Sequence, residues 1–409
     1  MGGLRVAVVG AGLGGLCLAQ GLRRVGVEVE VYERDAGPGA RPQGYRLHLD
    51  ARAGLALQQC LPPALFALFQ ATCGRPSRQF SVLSDQLRVL HEARGEEGVD
   101  RYAPATLSTS VHRQTLREVL GAGLDDRIHY GRELRGFAAD ASGVRLRFAD
   151  GGSTDADLLV GADGVGSVTR RALLPHARVV DTGGRCLYGS TPLNDEARAL
   201  LPPALHQGFT AFVGGRTGMA AGLVRLRQQP EQAAARIAPE ARLSPVADYL
   251  MWAVTAQRAR FRVSDAELSA AGPATLHALA AGAIRGWHPD LRRLVELAEV
   301  DRTFLAVIRS AEPVPAWEPG PVTLLGDAIH AMSPARGSGA NTALQDAATL
   351  CRELTAHPGE PVLAVGAYEA AMREYGFAAV EASRRAEAEG GARGAGRLAF
   401  WLYRRLARG

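Results

Sequence analysis

The sequence predicts an α/β protein with a domain built on a parallel β-sheet, an inserted domain with a mostly antiparallel β-sheet, and a C-terminal helix. Three observations lead to this prediction. Residues 4–32 have the pattern of strand, helix and strand, which is typical of a βαβ unit in a parallel sheet. Residues 180–310 contain several strand-like runs with few helices between them, which favours antiparallel pairing. Residues 322–355 then return to a buried strand followed by a helix.

The βαβ unit begins with Leu4–Val9, whose apolar and β-branched residues predict a buried strand. Leu16–Val25 continues with apolar residues at helical spacing, and Gly26 ends this helix. Val27–Tyr32 predicts a second buried strand. Further along the first domain, periodicity predicts helices over residues 47–70 and 111–121, and short strands over 127–137, 143–148 and 155–162.

The later part of the chain predicts a second sheet and a return to the first. The strand-like runs of the inserted region are Arg185–Pro192, Gly208–Gly214, Met219–Leu226, Tyr249–Thr255 and Thr303–Ser310. Val322–Leu325 then predicts a strand of the parallel type, Gly339–Thr355 a helix, and residues from 362 onward helical structure interrupted at Gly390–Gly396. We therefore expect three units: residues 1–180 with 311–375, residues 181–310 joined by strands from about 75–110, and a C-terminal helical segment over 376–409.

The composition excludes several classes of enzyme, because all 47 basic residues are arginine and the chain has no lysine. A Walker A phosphate loop, a pyridoxal Schiff base, a kinase active site and the S-x-x-K acylation dyad all need a lysine. The net charge of +5 comes from arginines scattered singly and in pairs, which favours a solvated basic surface over a nucleic-acid site. The 5 cysteines form no C-x-x-C pair, and the 10 histidines show no metal-ligand spacing. We therefore expect reduced thiols, a cytoplasmic protein and no metal site.

No segment of the sequence predicts insertion into a membrane. The apolar run Val6–Leu22 follows Arg5 as in a signal peptide, but it contains glycine repeatedly where a membrane-inserting segment would favour leucine. No other run of about 20 apolar residues occurs. In Arg397–Gly409, leucine and aromatic residues interleave with arginines, and we expect a helix that docks on its own domain rather than on a lipid surface.

The first functional motif is Gly10-x-Gly12-x-x-Gly15, which follows the first strand and opens the first helix. Gly10 makes a tight turn, Gly12 lets backbone amides approach a pyrophosphate, and Gly15 allows close packing of helix and strand. Glu33 ends the second strand, where its carboxylate can accept hydrogen bonds from ribose hydroxyls. The motif therefore predicts FAD or NAD, and Glu33 argues against the 2′-phosphate of NADP at this site.

A second motif, Asp163-Gly164, follows another apolar strand, with Ser167 and Arg170 at the spacing of a helix start. Taken alone, this pattern is more simply interpreted as a strand-to-helix junction in which Asp163 caps the helix.

A third motif, Gly326-Asp327, also ends a strand, and Gly337 and Gly339 lead into a further helix whose backbone amides can receive negative charge. A second helix N-terminus, far along the chain from the first, indicates a long cofactor held at both ends. This arrangement favours FAD over NAD.

In their order along the chain, the three motifs resemble those of the single-component flavin monooxygenases of the para-hydroxybenzoate hydroxylase type, which include tetracycline-inactivating and polyketide-tailoring enzymes. The resemblance covers residues 4–375. It implies a Rossmann-type domain with non-covalent FAD, which NADPH or NADH reduces transiently. It also implies transfer of one oxygen atom from O2, through a flavin C4a-hydroperoxide, to a hydrophobic or aromatic small molecule. Hydroxylation, epoxidation and Baeyer–Villiger oxidation in bacterial secondary metabolism all remain open, as do a monomer and a homodimer.

The resemblance further implies roles for individual residues. Glu33 and Arg34 would hold the adenosine half of FAD, Arg113 would contact the cofactor, Asp163 would support FAD and nicotinamide docking, and Asp327 would hold the ribitol. The complete implied cofactor site is Gly10, Gly12, Leu13, Gly15, Glu33, Arg34, Arg113, Asp163, Gly326, Asp327, Gly337, Gly339, Ala340 and Asn341, the last four with backbone amides facing the isoalloxazine.

Arg46, Arg336 and Pro334 are the candidate catalytic residues. The resemblance places the turns that contain the two arginines beside the isoalloxazine, where a fixed cation can stabilise reduced flavin and orient an acidic or enolised acceptor. Pro334 would supply a backbone without an N–H beside the flavin. His330, in the same loop, is interpreted as a scaffold residue.

Aromatic and sulfur-containing side chains of the inserted sheet are candidates for a substrate pocket, namely Phe209, Phe212, Met219, Met251 and Trp252. Two other functions fit the motifs: an FAD-dependent dehydrogenase or oxidase, and a non-catalytic binding protein stabilised by FAD. A flavin-dependent halogenase is disfavoured, because it needs a lysine and a W-x-W-x-I-P segment that this chain lacks.

Overall fold

The computed structural model describes residues 3–40, 45–140 and 143–391. The first domain is built on a parallel sheet whose strands are β1 (Arg5–Val9), β2 (Glu28–Glu33), β7 (Ile128–Tyr130), β11 (Leu158–Gly161) and β17 (Val322–Leu324). They lie in the order β17-β11-β1-β2-β7, and every neighbouring pair is parallel. The parallel sheet predicted from the N-terminal βαβ unit is thus confirmed.

Both faces of this sheet are covered, which explains why its strands are apolar without alternation. On one face, Val6 and Val8 pack against the helices of the main core. On the other face, Ala7 and Val9 pack against a small antiparallel sheet made of β8 (Leu134–Asp140), β9 (Gly143–Phe148) and β10 (Ser153–Ala156). The helices of this domain are α1 (Leu13–Arg24), α2 (Ala51–Cys60), α3 (Pro63–Thr72), α4 (Arg113–Gly121), α5 (Val168–Leu173), α12 (Asp327–His330), α13 (Gly339–Ala356) and α14 (Pro361–Gly391).

The second sheet has seven strands in the order β16-β12-β15-β14-β13-β4-β5. They are β4 (Gln79–Ser84), β5 (Val89–Arg94), β12 (Val179–Pro192), β13 (Gly208–Gly214), β14 (Thr217–Val224), β15 (Tyr249–Gln257) and β16 (Phe304–Ala311). All neighbouring pairs are antiparallel except β4 and β13, which run parallel. The mostly antiparallel character predicted for the inserted region is confirmed.

Helices cover the outer face of the second sheet. The region from β12 to β16 also contains α6 (Asp195–Ala199), α7 (Pro203–Gln207), α8 (Pro230–Ile237), α9 (Asp265–Ala270), α10 (Pro273–Ala283) and α11 (Pro289–Glu296). Leu276 of α10 and Leu291 of α11 pack with Trp252 on the outer face of the sheet. The inner face contains Tyr249 and Met251 and is turned toward the first domain. The strands of this sheet therefore alternate between a helix-covered core and a face that looks into the cleft between the domains.

The helical prediction for residues 47–70 is confirmed from residue 51 onward, as α2 and α3, and was wrong for residues 47–50. A short strand, β3 (Arg46–Asp50), pairs antiparallel with β6 (Ser108–His112), and α2 begins only at residue 51. Leu49 is buried whereas its neighbours on the strand are partly exposed, and Asp50 caps α2 by accepting a hydrogen bond from the Arg52 N–H at 3.0 Å. The residues just before the capping Asp50 alternate as in a strand, and the helical pattern begins only after it.

The last described helix, α14, runs to Gly391, so the predicted helix over residues 397–409 lies outside the described residues. Over the described ranges, no helix has both the length and the apolar character needed to cross a lipid bilayer.

Candidate active site

The glycine-rich turn after β1 is shaped by close backbone approaches. Gly10 has φ +113°, and a Cβ there would lie 2.3 Å from the carbonyl oxygen of Ala162. A Cβ on Gly15 would lie 2.1 Å from the carbonyl oxygen of Gly10. In contrast, a Cβ on Gly12 would meet no atom within 4 Å. Two of the glycines are thus required by protein packing, and the third leaves open space in front of the first turn of α1, where the buried Leu13 begins the helix.

Glu33 anchors this turn from the end of β2. Its buried carboxylate accepts hydrogen bonds from the backbone N–H of Ala11 at 2.8 Å and of Asp35 at 2.9 Å. The adjacent Arg34 is exposed. Glu33 therefore organises the protein backbone in addition to any bond it makes to a ribose.

Arg113 and Arg117 of α4 flank the same region. The guanidinium carbon of Arg113 lies 5.6 Å from the ring centroid of Tyr45, and Arg113 also contributes to the field at Asp327. Arg117, which the sequence analysis missed, is buried, and its Nε donates to the carbonyl oxygen of Ala11 at 2.9 Å. Arg117 lies one helical turn after Arg113, and this spacing could have indicated from the sequence that the two side chains share one face of α4.

Asp163 forms its hydrogen bonds mainly with the start of α5, the helix that follows it. Its carboxylate accepts hydrogen bonds from the Ser167 hydroxyl at 2.5 Å and from the backbone N–H of Val168 and Thr169 at 2.8 and 3.1 Å. The Arg170 side chain then donates to the carbonyl oxygen of Ala328 at 2.9 Å, which ties this junction to the loop after β17. The geometry matches the simpler interpretation of a strand-to-helix junction, in which Asp163 binds the first turn of α5, although the N-cap residue itself is Ser167, whose hydroxyl accepts from the Arg170 N–H at 2.8 Å.

Asp327 differs from Asp163 in its hydrogen bonding. Its side chain is exposed to the cleft and forms no hydrogen bond with the described part of the chain. Surrounding protein desolvates the carboxyl group and raises its pKa, although His330 and Arg113 oppose this shift. Gly326 precedes it with φ +62°, a backbone conformation that favours glycine. Asp327 is therefore available to a ligand in a way that Asp163 is not.

His330 is fully buried, in agreement with a scaffold role. Its Nε2 lies 2.6 Å from Oδ2 of Asp346, whose carboxylate also accepts from the Gly326 N–H at 2.7 Å and from the Tyr375 hydroxyl at 2.8 Å. A Cβ on Gly376 of α14 would lie 2.8 Å from the imidazole, so this helix packs directly on the ring. Burial alone would lower the pKa of His330, but the adjacent Asp346 carboxylate outweighs burial and raises it.

The first turn of α13 faces the same cleft. No side chain caps this 18-residue helix, and Gly337 before it has φ +61°. Gly339 and Ala340 are half-buried in the first turn. The Asn341 side chain is fully engaged within the protein: its Oδ1 accepts from the Asp50 N–H at 2.9 Å, and its Nδ2 donates to the carbonyl oxygens of His48 and Gly337 at 3.0 and 2.9 Å. The backbone amides of this turn thus remain for a ligand, while the Asn341 amide joins α13 to β3.

The three candidate catalytic residues lie around this turn. Pro334 is exposed and Arg336 half-buried in the short 3-10 helix Pro334–Arg336 before Gly337. Arg46 extends from β3 to the second sheet, where its guanidinium carbon lies 4.9 Å from the ring centroid of Phe209. Burial lowers the pKa of Arg46 to about 10.

The predicted substrate pocket needs correction. Phe209 lies on the inner face beside Arg46, but Phe212, Met219 and Trp252 are buried in the core on the opposite face of the sheet. The reason is the two-residue period of a strand: positions 209 and 212 differ by an odd number and point to opposite sides. The inner face presents Met251, which was among the candidates. It also presents residues that the sequence did not single out, namely Tyr188, Tyr249 and Phe304, together with Tyr45 from the first domain.

The residues of this cleft fit an extended dinucleotide. Two helix N-termini without side-chain caps open at one edge of the parallel sheet, and a Cβ on Gly14 of α1 would lie 2.7 Å from the Leu325 side chain and 3.1 Å from the Ala343 carbonyl of α13. Open space at Gly12 and the unpaired carboxylate of Asp327 lie at the same edge. Uncapped helix starts accept phosphate or flavin oxygens, and a free carboxylate accepts from ribitol hydroxyls. The fold and site together define a Rossmann-type flavoprotein.

Comparisons with known proteins give the family. Residues 8–71 match a family described as "NAD(P)-binding Rossmann-like domain", and residues 305–369 match one described as "FAD binding domain". The 3-amino-4-hydroxybenzoate 2-monooxygenase of Streptomyces cremeus is 31% identical over 90% of this chain and 82% of its own length. A solved structure from Photorhabdus luminescens, assigned as an FAD-containing monooxygenase, is 29% identical with a TM-score of 0.81, covering 95% of this chain and 99% of that chain. The chain belongs to the FAD-dependent monooxygenases.

The dual O-methyltransferase/FAD-dependent monooxygenase of Cercospora beticola is 34% identical over 90% of this chain. The match covers 44% of that protein, so this chain spans less than half the length of the first curated relatives it matches.

Glu33→Ala and Asp327→Ala should both weaken FAD binding, by about tenfold or more, because each removes a carboxylate that can accept ligand hydroxyls. The two variants should differ without FAD. Glu33→Ala also leaves the buried N–H of Ala11 without its acceptor, which costs about 1–3 kcal/mol and lowers the melting temperature of the FAD-free protein. Asp327→Ala should leave that temperature nearly unchanged. Flavin titration and thermal unfolding test both points, and full FAD retention in both variants would contradict this assignment.

The His330–Asp346 pair should make stability depend on pH. Because the folded-state pKa of His330 is raised above its unfolded value of about 6.5, its stabilisation is fully present below that value and is lost as pH rises through the folded pKa. We expect the difference in unfolding free energy between the FAD-free protein and His330→Gln to be largest at acidic pH and to shrink in alkali. Urea unfolding from pH 5.5 to 9 measures it, with the exposed His206→Gln as a control. A difference that stays constant over this range would contradict a charged pair.

Proposed function

We propose that this chain uses FAD, NAD(P)H and O2 to insert one oxygen atom into a hydrophobic or aromatic small molecule. The observation that carries the proposal is the meeting of a dinucleotide cleft with an aromatic pocket. Tyr45 lies next to the cleft, with Arg113 over its ring, and its ring centroid is 5.5 Å from those of both Tyr188 and Phe304 on the second sheet. These rings pack against one another at the junction of the two domains, beside the proposed flavin site, and we propose that they form one wall of the acceptor site.

The cofactor residues implied by the sequence are proposed in the roles that their contacts support. Gly12, Leu13 and Arg34 would face the adenosine and pyrophosphate, and Asp327 would accept from the ribitol. Gly337 to Asn341 would offer backbone amides to the flavin ring, where such dipoles stabilise negative charge. When bound, FAD supplies the redox chemistry, accepting electrons from NAD(P)H and activating O2 toward the substrate.

The protein's own contribution is to exclude water and to fix the acceptor. The inner face of the second sheet is apolar, with Met251 and Ile308 buried. Tyr249 brings a polar group into this surface, since its hydroxyl lies 3.0 Å from Nδ1 of the buried His112. Arg46 and Arg336 are proposed to supply fixed positive charge to the site.

A reductive and an oxygen-labelling measurement test the function. NADPH or NADH should bleach the yellow FAD-loaded protein under anaerobic conditions, and a panel of phenolic and polyketide-like compounds should contain members that accelerate NAD(P)H oxidation in air. With 18O2, the product of such a compound should gain one labelled oxygen atom. Bleaching without label would indicate a dehydrogenase or oxidase. A protein that NAD(P)H does not bleach would bind FAD for structure alone.

Arg46→Lys and Arg336→Lys should impair turnover more than folding. Lysine keeps the charge but lacks the planar fork of donors, so FAD content and melting temperature should stay nearly unchanged. Substrate-dependent turnover should slow by about tenfold or more, or hydrogen peroxide should replace product. Peroxide and product are measured together, with Arg216→Lys in the exposed β13–β14 turn as the matched control. Wild-type rate and coupling in both variants would place these arginines outside the site.

A further inference from the structure

Glu369 is a buried carboxyl group that the proposed reaction does not use. It lies on α14, and only 3% of its surface is exposed. Its Oε1 accepts a hydrogen bond from the hydroxyl of Thr323 on β17 at 2.7 Å. Its Oε2 is also buried, but it has no hydrogen-bond partner within the described residues. A carboxyl group with one oxygen unpaired and shielded from water is costly to ionise.

The same face of α14 packs against the connection between β16 and β17. A Cβ on Gly366 would lie 3.1 Å from Cγ of Pro319, and the guanidinium carbon of Arg373 lies 5.8 Å from the ring centroid of Trp317. Gly366, Glu369 and Arg373 follow one another at intervals of three and four residues, so they share one side of the helix. Glu369 is thus enclosed by β17, by this connection and by its own helix.

The groups that face Glu369 do not compensate for its burial. From β17 the Thr323 hydroxyl donates to it, and from the connection the Trp317 indole favours the ionised form without reaching hydrogen-bond geometry. On α14 itself, the positive charge of Arg373 also favours ionisation, while burial keeps the phenol of Tyr368 protonated. Burial outweighs these groups and raises the pKa of Glu369 to about 7. The packed structure therefore favours the protonated carboxyl group.

This preference couples the packing of α14 to pH. Where α14 separates locally from β17 and the connection, Glu369 becomes hydrated and its pKa returns to its usual value of 4.5. The packed state then holds the proton more tightly than the opened state, so a rise in pH favours opening. The effect develops between pH 4.5 and about 7, where the two states differ in protonation, and is constant well above the higher value.

The strand that Glu369 contacts leads directly into the cofactor site. β17 is the terminal strand of the parallel sheet, and Thr323 on it precedes Gly326 and the cleft-facing Asp327 by only a few residues. On the same helix as Glu369, the Tyr375 hydroxyl donates to the Asp346 carboxylate at 2.8 Å, which also accepts from the Gly326 N–H at 2.7 Å. Separation of α14 from β17 would therefore disturb the loop that presents Asp327.

We propose that Glu369 is a proton-dependent contact that controls retention of FAD: protonated, it holds α14 against β17, and ionised, it promotes a local opening that speeds FAD release. The inference concerns the cofactor and does not depend on the proposed oxygen insertion. Glu369 acts through β17 on Asp327, so it is a positioning residue.

Hydrogen exchange of the FAD-loaded protein tests the opening, with Glu369→Gln as the comparison. Glutamine keeps the shape of the side chain but cannot ionise. In peptides from β17 and the β16–β17 connection, the exchange rate of the wild type relative to the variant should rise about tenfold or more between pH 5.5 and 7.5. This ratio should then stay constant from pH 8 to 9. Peptides from β13 and β14 should exchange equally in both proteins at every pH.

The rate of FAD release is the second measurement. After dilution of the FAD-loaded protein, the fluorescence of free flavin reports release, and the wild-type rate should rise relative to that of Glu369→Gln over the same pH interval. The titration of His330 occurs in both proteins and cancels in this ratio. Glu374→Gln, which removes an exposed carboxylate from the same helix, should behave as the wild type.

A second variant tests the contact without changing Glu369. Thr323→Val removes the hydroxyl that favours the ionised carboxyl group, so the pKa of Glu369 should rise further. The pH at which the exchange ratio becomes constant should rise with it. An unchanged midpoint in this variant would contradict a role for the Glu369–Thr323 contact in the pH dependence.

Three further outcomes would overturn the proposal. The first is an exchange ratio that does not change between pH 5.5 and 7.5. The second is a rise that spreads equally over the whole chain, which would indicate global unfolding in place of a local opening. The third is FAD release that is equally fast from the wild type and Glu369→Gln at every pH. None of these measurements uses substrate or 18O2, so failure here would leave the proposed function standing, and failure of oxygen insertion would leave this inference standing.

Discussion

One buried carboxylate, that of Asp346, holds together the part of the chain on which the site depends. Through its two oxygens it contacts the backbone N–H of Gly326, the imidazole of His330 and the hydroxyl of Tyr375. These partners belong to the loop after β17, to α12 and to α14, while Asp346 itself lies on α13. The position of Asp327 and the direction of the first turn of α13 therefore follow from one carboxyl group that is inaccessible to water. Burying a charge is tolerated here because its hydrogen-bonding capacity is satisfied within the protein.

A second constraint joins the domains through polar and aromatic contacts at the cleft. Asn341 ties α13 to β3, and β3 places Tyr45 and Arg46 against the second sheet. The bond between His112 and Tyr249 adds a further link between β6 and β15. The pocket is thus assembled from both domains, so the spacing between flavin site and acceptor site depends on side chains that neither domain supplies alone.

The sequence predicted those features that depend on neighbours in the chain. The turn at Gly10, the acid at Glu33 and the strand end at Asp327 each follow from a local pattern, and the two-sheet architecture follows from the change in periodicity near residue 180. Features that depend on residues far apart in the chain could not be predicted from the sequence. The Asn341 amide bonds to residues almost 300 positions away in the chain. Three of the candidate pocket residues, Phe212, Met219 and Trp252, were assigned to the wrong face of the sheet, because side-chain type was weighed without the two-residue period that decides which face of a strand a residue occupies.

The second sheet is assembled from two separate segments of the chain, which the parallel pairing of β4 with β13 joins. Two of its seven strands, β4 and β5, come from residues 79–94, far ahead of the other five strands, which begin at residue 179. Excising residues 181–310 would therefore remove most of a sheet but leave two of its strands behind with exposed edges. A chimera that exchanges only the strands of this sheet would need four crossovers, two flanking residues 79–94 and two flanking residues 179–311. A single exchanged segment would also replace residues 95–178, which include strands of the first domain. Changes of specificity on this scaffold are correspondingly expected to accumulate by substitution within the sheet rather than by transfer of a module.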